Sequence, residues 1–388
     1  MEEILYRFNP WWEEEYKPEF LDRPRYTTKL LKSIENKNIE IITGLRRIGK
    51  TTILKLLIHK LIKEKKTDPS RIFYISLDFY GLEDISILKV VERFFKIQEI
   101  RFGEKVYLFL DEITYKKNFS QQLKNLYDHY NAKIFATSSS SSVLKDKKAF
   151  LTGRESLTEV LPLSFQEFLS FKNIKIKKSD KHLIPKLFER YMEIGGIPEY
   201  VLNEDIEYIK QLIDDIIYKD IISFHNIKDK TIIREFFYLL MERAGKQVSL
   251  NKISKILGIS VDTARRYFEY FKDTYLIYSI ERCGKLNERI KSPKKIYSGD
   301  IGIKNAVTGF RDKGAIFENI VFLNIKDKNP CYIYQGGVEL DFLLEDKTLI
   351  EVKYESFLNE KQKKLFDTFP ANKKILIDTV EKFLALFG

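Results

Sequence analysis

The chain has 388 residues, 44% of them hydrophobic and 32% charged, which is too long for one compact core and too apolar for a disordered chain. Lysine and arginine number 67 against 56 acidic residues, a net charge of +11, so the surface field attracts polyanions such as nucleic acid or nucleotide. No apolar run approaches the length of a membrane span, and the acidic, aromatic start lacks the pattern of a secretory leader, so secretion and membrane contact are excluded from the expectation.

After a proline-containing lead, residues 39–143 alternate short β-branched runs with helical patterns, the signature of a parallel α/β sheet. Strands are expected at 39–43, 71–77, 106–110 and 133–137, with a helix over 51–63. Each run is short and apolar, as strands covered on both faces are. From about residue 163 helical patterns take over, at 165–171, 183–194 and 206–222. Three helices (231–244, 250–257, 261–274), the turn Gly258-Ile259-Ser260 and a strand over 275–281 form a helix-turn-helix pattern with a winged character. Residues 291–388 return to α/β: a helix over 314–326, strands at 331–335, 338–345 and 348–354, a helix near 359–369, then a last strand and helix. Cys283 and Cys331 stand far apart without a CxxC or a Cys/His cluster, so neither a zinc finger nor a disulfide scaffold is expected, and a reducing cytoplasm fits.

The sharpest motif is Gly44-Leu45-Arg46-Arg47-Ile48-Gly49-Lys50-Thr51, which satisfies G-x-x-x-x-G-K-[ST] between a predicted strand and a predicted helix. Glycines let backbone N–H groups close around phosphate oxygens. Lys50 brings a point charge to the β- and γ-phosphates, and the Thr51 hydroxyl completes a Mg²⁺ shell. Gly44, Arg46, Arg47, Gly49, Lys50, Thr51 and Thr52 are the candidate ATP-binding residues. The run Val106-Tyr107-Leu108-Phe109-Leu110 ends in Asp111-Glu112, where a P-loop ATPase needs an acid on the metal and a base for the attacking water. Asp111 is expected on the metal with Thr51, and Glu112 as the base. The next strand ends in the run Ser138 to Ser142, and Thr137 or Ser138 is the candidate sensor of the γ-phosphate.

The stretches GLRRIGKTT, LFLDEIT and FATSSSSS resemble the archaeal ATPase family of AAA+-like P-loop proteins. So do Gly153-Arg154, the Pro162-Leu163-Ser164-Phe165 segment and Tyr191-Met192-Glu193-Ile194-Gly195-Gly196-Ile197-Pro198-Glu199. The resemblance covers essentially the whole chain, departing at Ser138, where glycine is frequent, and at Thr114, where glutamine often follows the acids. It implies that Arg154 is a sensor or arginine finger. It also implies a C-terminal domain similar to PD-(D/E)XK nucleases.

The residues of that domain fit the pattern. Asp341 and Glu351 lie on adjacent predicted strands, Glu318 lies on the preceding helix, and period-two alternation puts Glu351 and Lys353 on one face. In such nucleases two acids bind a divalent metal and the lysine positions or activates water. Asp341, Glu351 and Lys353 are therefore candidate catalytic residues, with Asp341 and Glu351 as ligands of a second Mg²⁺ or Mn²⁺; a degenerate domain kept as a binding platform is the rival.

The expected architecture is thus α/β: a P-loop parallel-sheet ATPase domain (1–164), a helical lid (165–230), a winged-helix-like module (231–290) and a restriction-endonuclease-like α/β domain (291–388). The expected function is Mg²⁺-dependent ATP hydrolysis coupled to DNA, with Arg265 and Arg266 on the nucleic acid and cleavage by the last domain. A nucleotide-dependent switch that binds a protein partner without cleaving DNA is the alternative. A homo-oligomer is a further expectation.

Overall fold

The computed structural model describes residues 2–141 and 151–388, and the chain divides into two compact units between Leu161 and Pro162. In the first unit, strands β1 (Ile39–Thr43), β2 (Ile72–Ser76), β3 (Val106–Asp111), β4 (Ala132–Ser138) and β5 (Glu155–Glu159) form one sheet in the order β2-β3-β4-β1-β5. Every pairing is parallel. β5 is a strand that the pattern did not reveal, because its sequence ESLTE has no apolar run and it is an edge strand, mostly half-buried. β1 lies beside β4, which lies beside β3, so the loops leaving their C-terminal ends emerge side by side. Ligands of parallel α/β sheets bind at such an edge. Ile39, Ile41, Phe73, Ile75, Leu108, Leu110 and Ile134 build the buried core against the helices.

The N-terminal lead has a structural task. β2 is the other edge, and its outward backbone groups are met by side chains. Asn9 Nδ2 donates to Tyr74 O at 2.9 Å, and Tyr74 N donates to Asn9 Oδ1 at 2.6 Å. Trp11 and Trp12 donate their indole N–H groups to Ile72 O at 3.1 and 2.9 Å. An edge so occupied offers no free template to another strand.

In the second unit, β6 (Gln247–Val248), β7 (Ile277–Ile280) and β8 (Lys294–Ser298) form a small antiparallel sheet in the order β6-β8-β7. With the helices Lys230–Glu242, Leu250–Leu257, Val261–Asp273 and Leu286–Lys291, the order along the chain is helix, strand, helix, helix, strand, short helix, strand. The expected boundary at residue 291 falls inside the β7–β8 connection. β9 (Cys331–Gln335), β10 (Val338–Leu343), β11 (Thr348–Val352) and β12 (Lys373–Ile377) form a mixed sheet in the order β12-β11-β10-β9. One core runs from Leu163 and Phe165 through Phe188 and Tyr297 to Phe342 and Phe383, so the helical segment and the C-terminal sheet are buried together. Among the described residues no helix is long and apolar enough to cross a membrane.

The expectation for the cysteines is corrected. Cys283 and Cys331 form a disulfide, with Cα atoms 5.1 Å apart. The chain leaving β7 pairs beside the start of β9, where Cys283 N donates to Tyr332 O at 2.7 Å, and this long-range pairing brings together two residues that no spacing rule connects.

The Gly195-Gly196 pair is explained by Asp300. Gly195 has φ +84°, and a β-carbon there would lie 2.4 Å from Gly302 N; one on Gly196 would lie 2.6 Å from Leu163 N. The closeness lets Asp300, fully buried, accept Gly196 N at 2.7 Å and Ile303 N at 3.1 Å. Burial pushes its carboxyl up to about 6, against the pull of the backbone N–H groups of Gly196, Ile303 and Gly302. Because the folded value lies above the unfolded one, the stabilising protonated form is lost as pH rises through about 6. Relative to Asp300→Asn, the wild-type protein should therefore gain about 2 kcal/mol of unfolding free energy between about pH 7.5 and about pH 4.5. Denaturant titrations of both proteins across that range measure it, and parallel curves would refute the assignment.

Candidate functional site

The phosphate-binding loop leaves β1 at Thr43 and enters the helix Lys50–Lys63. Gly44 has φ +139°, and a β-carbon there would sit 2.4 Å from Val160 O; Gly49, at φ +98°, starts the helix. Arg47 shares the left-handed conformation at φ 59°. Both glycines are required by backbone geometry, the first also by the close approach of the chain beyond β5. The buried Arg23 braces this loop: it donates to Ile48 O at 3.2 Å and Leu161 O at 2.9 Å.

Lys50 is buried, and its ammonium donates to Gly44 O and Leu45 O at 3.0 Å and to Ser139 Oγ at 2.9 Å. Thr51 Oγ1 donates to Asp111 Oδ2 at 2.7 Å, Tyr74 OH donates to the same oxygen at 2.8 Å, and the Thr137 hydroxyl donates to the other. Burial, then the Asp111 charge, push the Tyr74 phenol far up, so it stays a donor. Asp111 is buried among hydroxyls, and it stands with Thr51 as a pair of hard oxygen donors at the mouth of the loop. That set fits Mg²⁺, which takes one or two protein oxygens and completes its shell with phosphate and water. Glu112 adopts φ 53°, a left-handed conformation that costs a non-glycine residue energy. Its carboxylate accepts Ser139 Oγ at 2.5 Å and Ser139 N at 3.2 Å.

The serine run is thereby sorted. Ser138 turns its hydroxyl into its own bend, donating to Ser140 O at 2.9 Å. Ser139 is the residue that touches both Lys50 and Glu112, and five identical residues held no signal to single it out. Ser142 lies outside the described residues. Arg46 is half-buried and Arg47 exposed on the loop, and Thr52 lies in the first turn of the helix. Arg154 precedes β5, and its carbonyl accepts Ile39 N at 2.8 Å. The β1–β5 register runs from Ile39↔Glu155 to Thr43↔Glu159, so Arg154 lies at the edge opposite the phosphate loop. Its guanidinium pairs with Asp128 at 3.1 Å.

In the C-terminal sheet, Asp341 and Glu351 face each other across β10 and β11. Asp341 N donates to Glu351 Oε2 at 3.0 Å and Val352 N to Asp341 Oδ2 at 2.9 Å. Lys353 Nζ donates to Glu351 Oε1 at 2.8 Å. A residue not singled out in the sequence joins them: Lys295 of β8 lies 2.8 Å from Glu318, 2.6 Å from Glu339 and 3.0 Å from Asp341. Burial and the Asp341 charge raise both Glu318 and Glu351 above the ordinary carboxylate range, and the surrounding acids raise Lys295 against its own burial. The alternation Glu339-x-Asp341 was a legible signal for Glu339, whereas Lys295 was hidden in an ordinary basic pair.

On the helix Val261–Asp273, Arg265 and Arg266 are exposed, Arg265 paired with Asp262 at 3.2 Å and Arg266 donating to Thr263 Oγ1 at 3.3 Å.

Residues 36–169 match the AAA domain family, and residues 185–314 match a domain of unknown function. With the loop, the Asp111-Glu112 strand end and the parallel sheet, the first unit is an AAA-type P-loop ATPase domain. The chain is 32% identical to uncharacterized protein MJ1544 of Methanocaldococcus jannaschii over 90% of its own length and 82% of that protein's, and it belongs to the family of that protein. A second protein of that organism, uncharacterized protein MJ1637, is 27% identical over 90% of this chain and 83% of its own. The Thermotoga maritima RuvB Holliday junction branch migration motor overlays at a TM-score of 0.34 and 18% identity, covering 68% of this chain and 90% of that one.

Proposed function

We propose that the protein couples Mg²⁺-dependent ATP hydrolysis to the binding of DNA. The observation that carries the first half is the convergence of Lys50, Thr51, Asp111, Glu112 and Ser139 on one sheet edge. Gly44, Arg46, Arg47, Gly49, Lys50, Thr51 and Thr52 hold the nucleotide, and Thr51 and Asp111 hold the metal. Glu112 takes the proton of the attacking water, and Ser139, rather than Ser138, links that base to the phosphate-side ammonium. Arg154 lies too far along the sheet to serve its own nucleotide, so a finger role makes the working form a homo-oligomer.

The DNA half rests on the second unit. The helix, strand, helix, helix, strand, strand order of residues 230–298, interrupted before the last strand by the short helix Leu286–Lys291, supports the reading of a winged helix-turn-helix module, in which the second helix of the pair enters the major groove. Lys252, Lys255, Arg265 and Arg266 are exposed there. If about four phosphates are neutralised, affinity should fall roughly a hundredfold between about 50 and about 200 mM salt. Arg265→Ala with Arg266→Ala should lower the slope of log affinity against log salt by about two. Fluorescence anisotropy with labelled duplex measures both, and an unchanged slope would remove the helix from the DNA interface.

One observation favours the protein-switch reading. Leu286 and Ile290, one turn apart on the β7–β8 connection, are each 66% exposed, an apolar edge suited to a protein partner. ATP turnover unmoved by DNA would favour it. Cleavage of DNA by the C-terminal fold is suggested by the positions of Asp341, Glu351 and Lys353, and against it stands the Lys295 cation among the acids. A cytoplasmic location follows from the need for ATP; the cysteines, now bonded, no longer support it.

A further inference from the structure

Four carboxylates and two ammonium groups meet where β8 passes the C-terminal sheet. Lys295 has a side chain 1% exposed, and its nitrogen lies 2.6–3.0 Å from Glu339, Glu318 and Asp341. An ammonium has three N–H donors and no acceptor, so three carboxylates satisfy it. Further donors hold the acids as well. Glu318 Oε1 accepts Tyr297 OH at 2.7 Å and Glu339 Oε2 accepts the Gln247 amide at 2.6 Å. Asp341 Oδ2 accepts Val352 N, and Glu351 accepts Asp341 N and Lys353. Hard divalent cations need several such oxygens converging on one point, and here the point of convergence holds a nitrogen of the chain itself. Among the described residues, no three acidic, histidine or cysteine side chains are arranged to hold a metal ion. A Mg²⁺ or Mn²⁺ bound through Asp341 would have to displace Lys295 and leave its buried charge without partners, which is strongly unfavourable. The residues present do not fit the metal that the nuclease-like fold implies.

We infer that Lys295 is the resident cation of this cluster and takes the place of a divalent ion, so that the acids form a metal-free latch rather than a cleavage centre. The latch has a direction: β8 supplies Lys295 and β6 supplies Gln247, both to Glu339 on β10. The small sheet of the helix-turn-helix segment is thereby fastened to the C-terminal sheet through charges that a nuclease would spend on metal. The inference does not depend on whether the protein binds DNA or ATP.

The test is Mn²⁺ uptake by the nucleotide-free full chain, read as loss of the free-ion signal in electron paramagnetic resonance. Wild type and Asp341→Asn should take up Mn²⁺ identically, because Asp341 holds no metal in either. Lys295→Ala, folded by circular dichroism, should gain about one ion per chain, lost again in Lys295→Ala with Asp341→Asn. If Asp341→Asn takes up one ion fewer than wild type, or if folded Lys295→Ala gains none, the inference is overturned. Should Lys295→Ala not fold, the comparison of wild type with Asp341→Asn decides by itself.

Discussion

Glu112→Gln is expected to bind ATP about as tightly as the wild-type protein and to hydrolyse it at least about a hundredfold more slowly, whereas Lys50→Ala is expected not to bind it measurably. The two residues stand on either side of Ser139, which donates to Glu112 and accepts from Lys50. The glutamine substitution keeps the size of the side chain and a carbonyl oxygen for the Ser139 donors, so the strand ends stay in place and only the proposed base is lost. General-base removal acts on the transition state, which is why affinity is spared. Lys50 is different. Its ammonium is buried at the mouth of the loop, and removing it takes a full charge from the place where phosphates must be neutralised. Binding of a fluorescent ATP analogue and release of phosphate separate the two effects. Equal binding defects in both variants would overturn the roles.

Arg154→Ala is expected to lower turnover by about a thousandfold while nucleotide affinity stays within a few-fold, since a finger stabilises charge only in the transition state. Parallel β1 and β5 place Arg154 before the first residue pair and the phosphate loop after the last, so about 15 Å of strand separates them. One arginine side chain does not cover that distance, and this one is turned to Asp128. A finger role would therefore need delivery from a neighbouring copy. Arg154→Ala keeps an intact loop and Lys50→Ala keeps an intact arginine, so mixing the two inactive variants should restore part of the turnover. No recovery at any mixing ratio would exclude the finger role.

What the amino-acid sequence determined by itself was chemistry held in contiguous residues at strand ends. The loop from Gly44 to Thr51 and the Leu110-Asp111-Glu112 strand end are local: their spacing sets their geometry, and the apolar runs before them announce the buried parallel strands. The helices Leu250–Leu257 and Val261–Asp273 were legible for the same reason, because Gly258 takes a left-handed turn between two amphipathic patterns. The tertiary structure decided everything that depends on pairing across distance. Only the placement of β4 beside β1 distinguishes Ser139 from its neighbours. Only strand direction puts Arg154 at the far edge, and only the free edge of β2 gives Asn9, Trp11 and Trp12 their partners. Cys283 meets Cys331, and Lys295 meets Glu339 and Asp341, because segments more than forty residues apart are brought side by side. No periodicity records such meetings; a lysine in a Lys-Lys pair reads as solvated until a sheet turns it onto three carboxylates and burial makes their mutual charge the strongest local force.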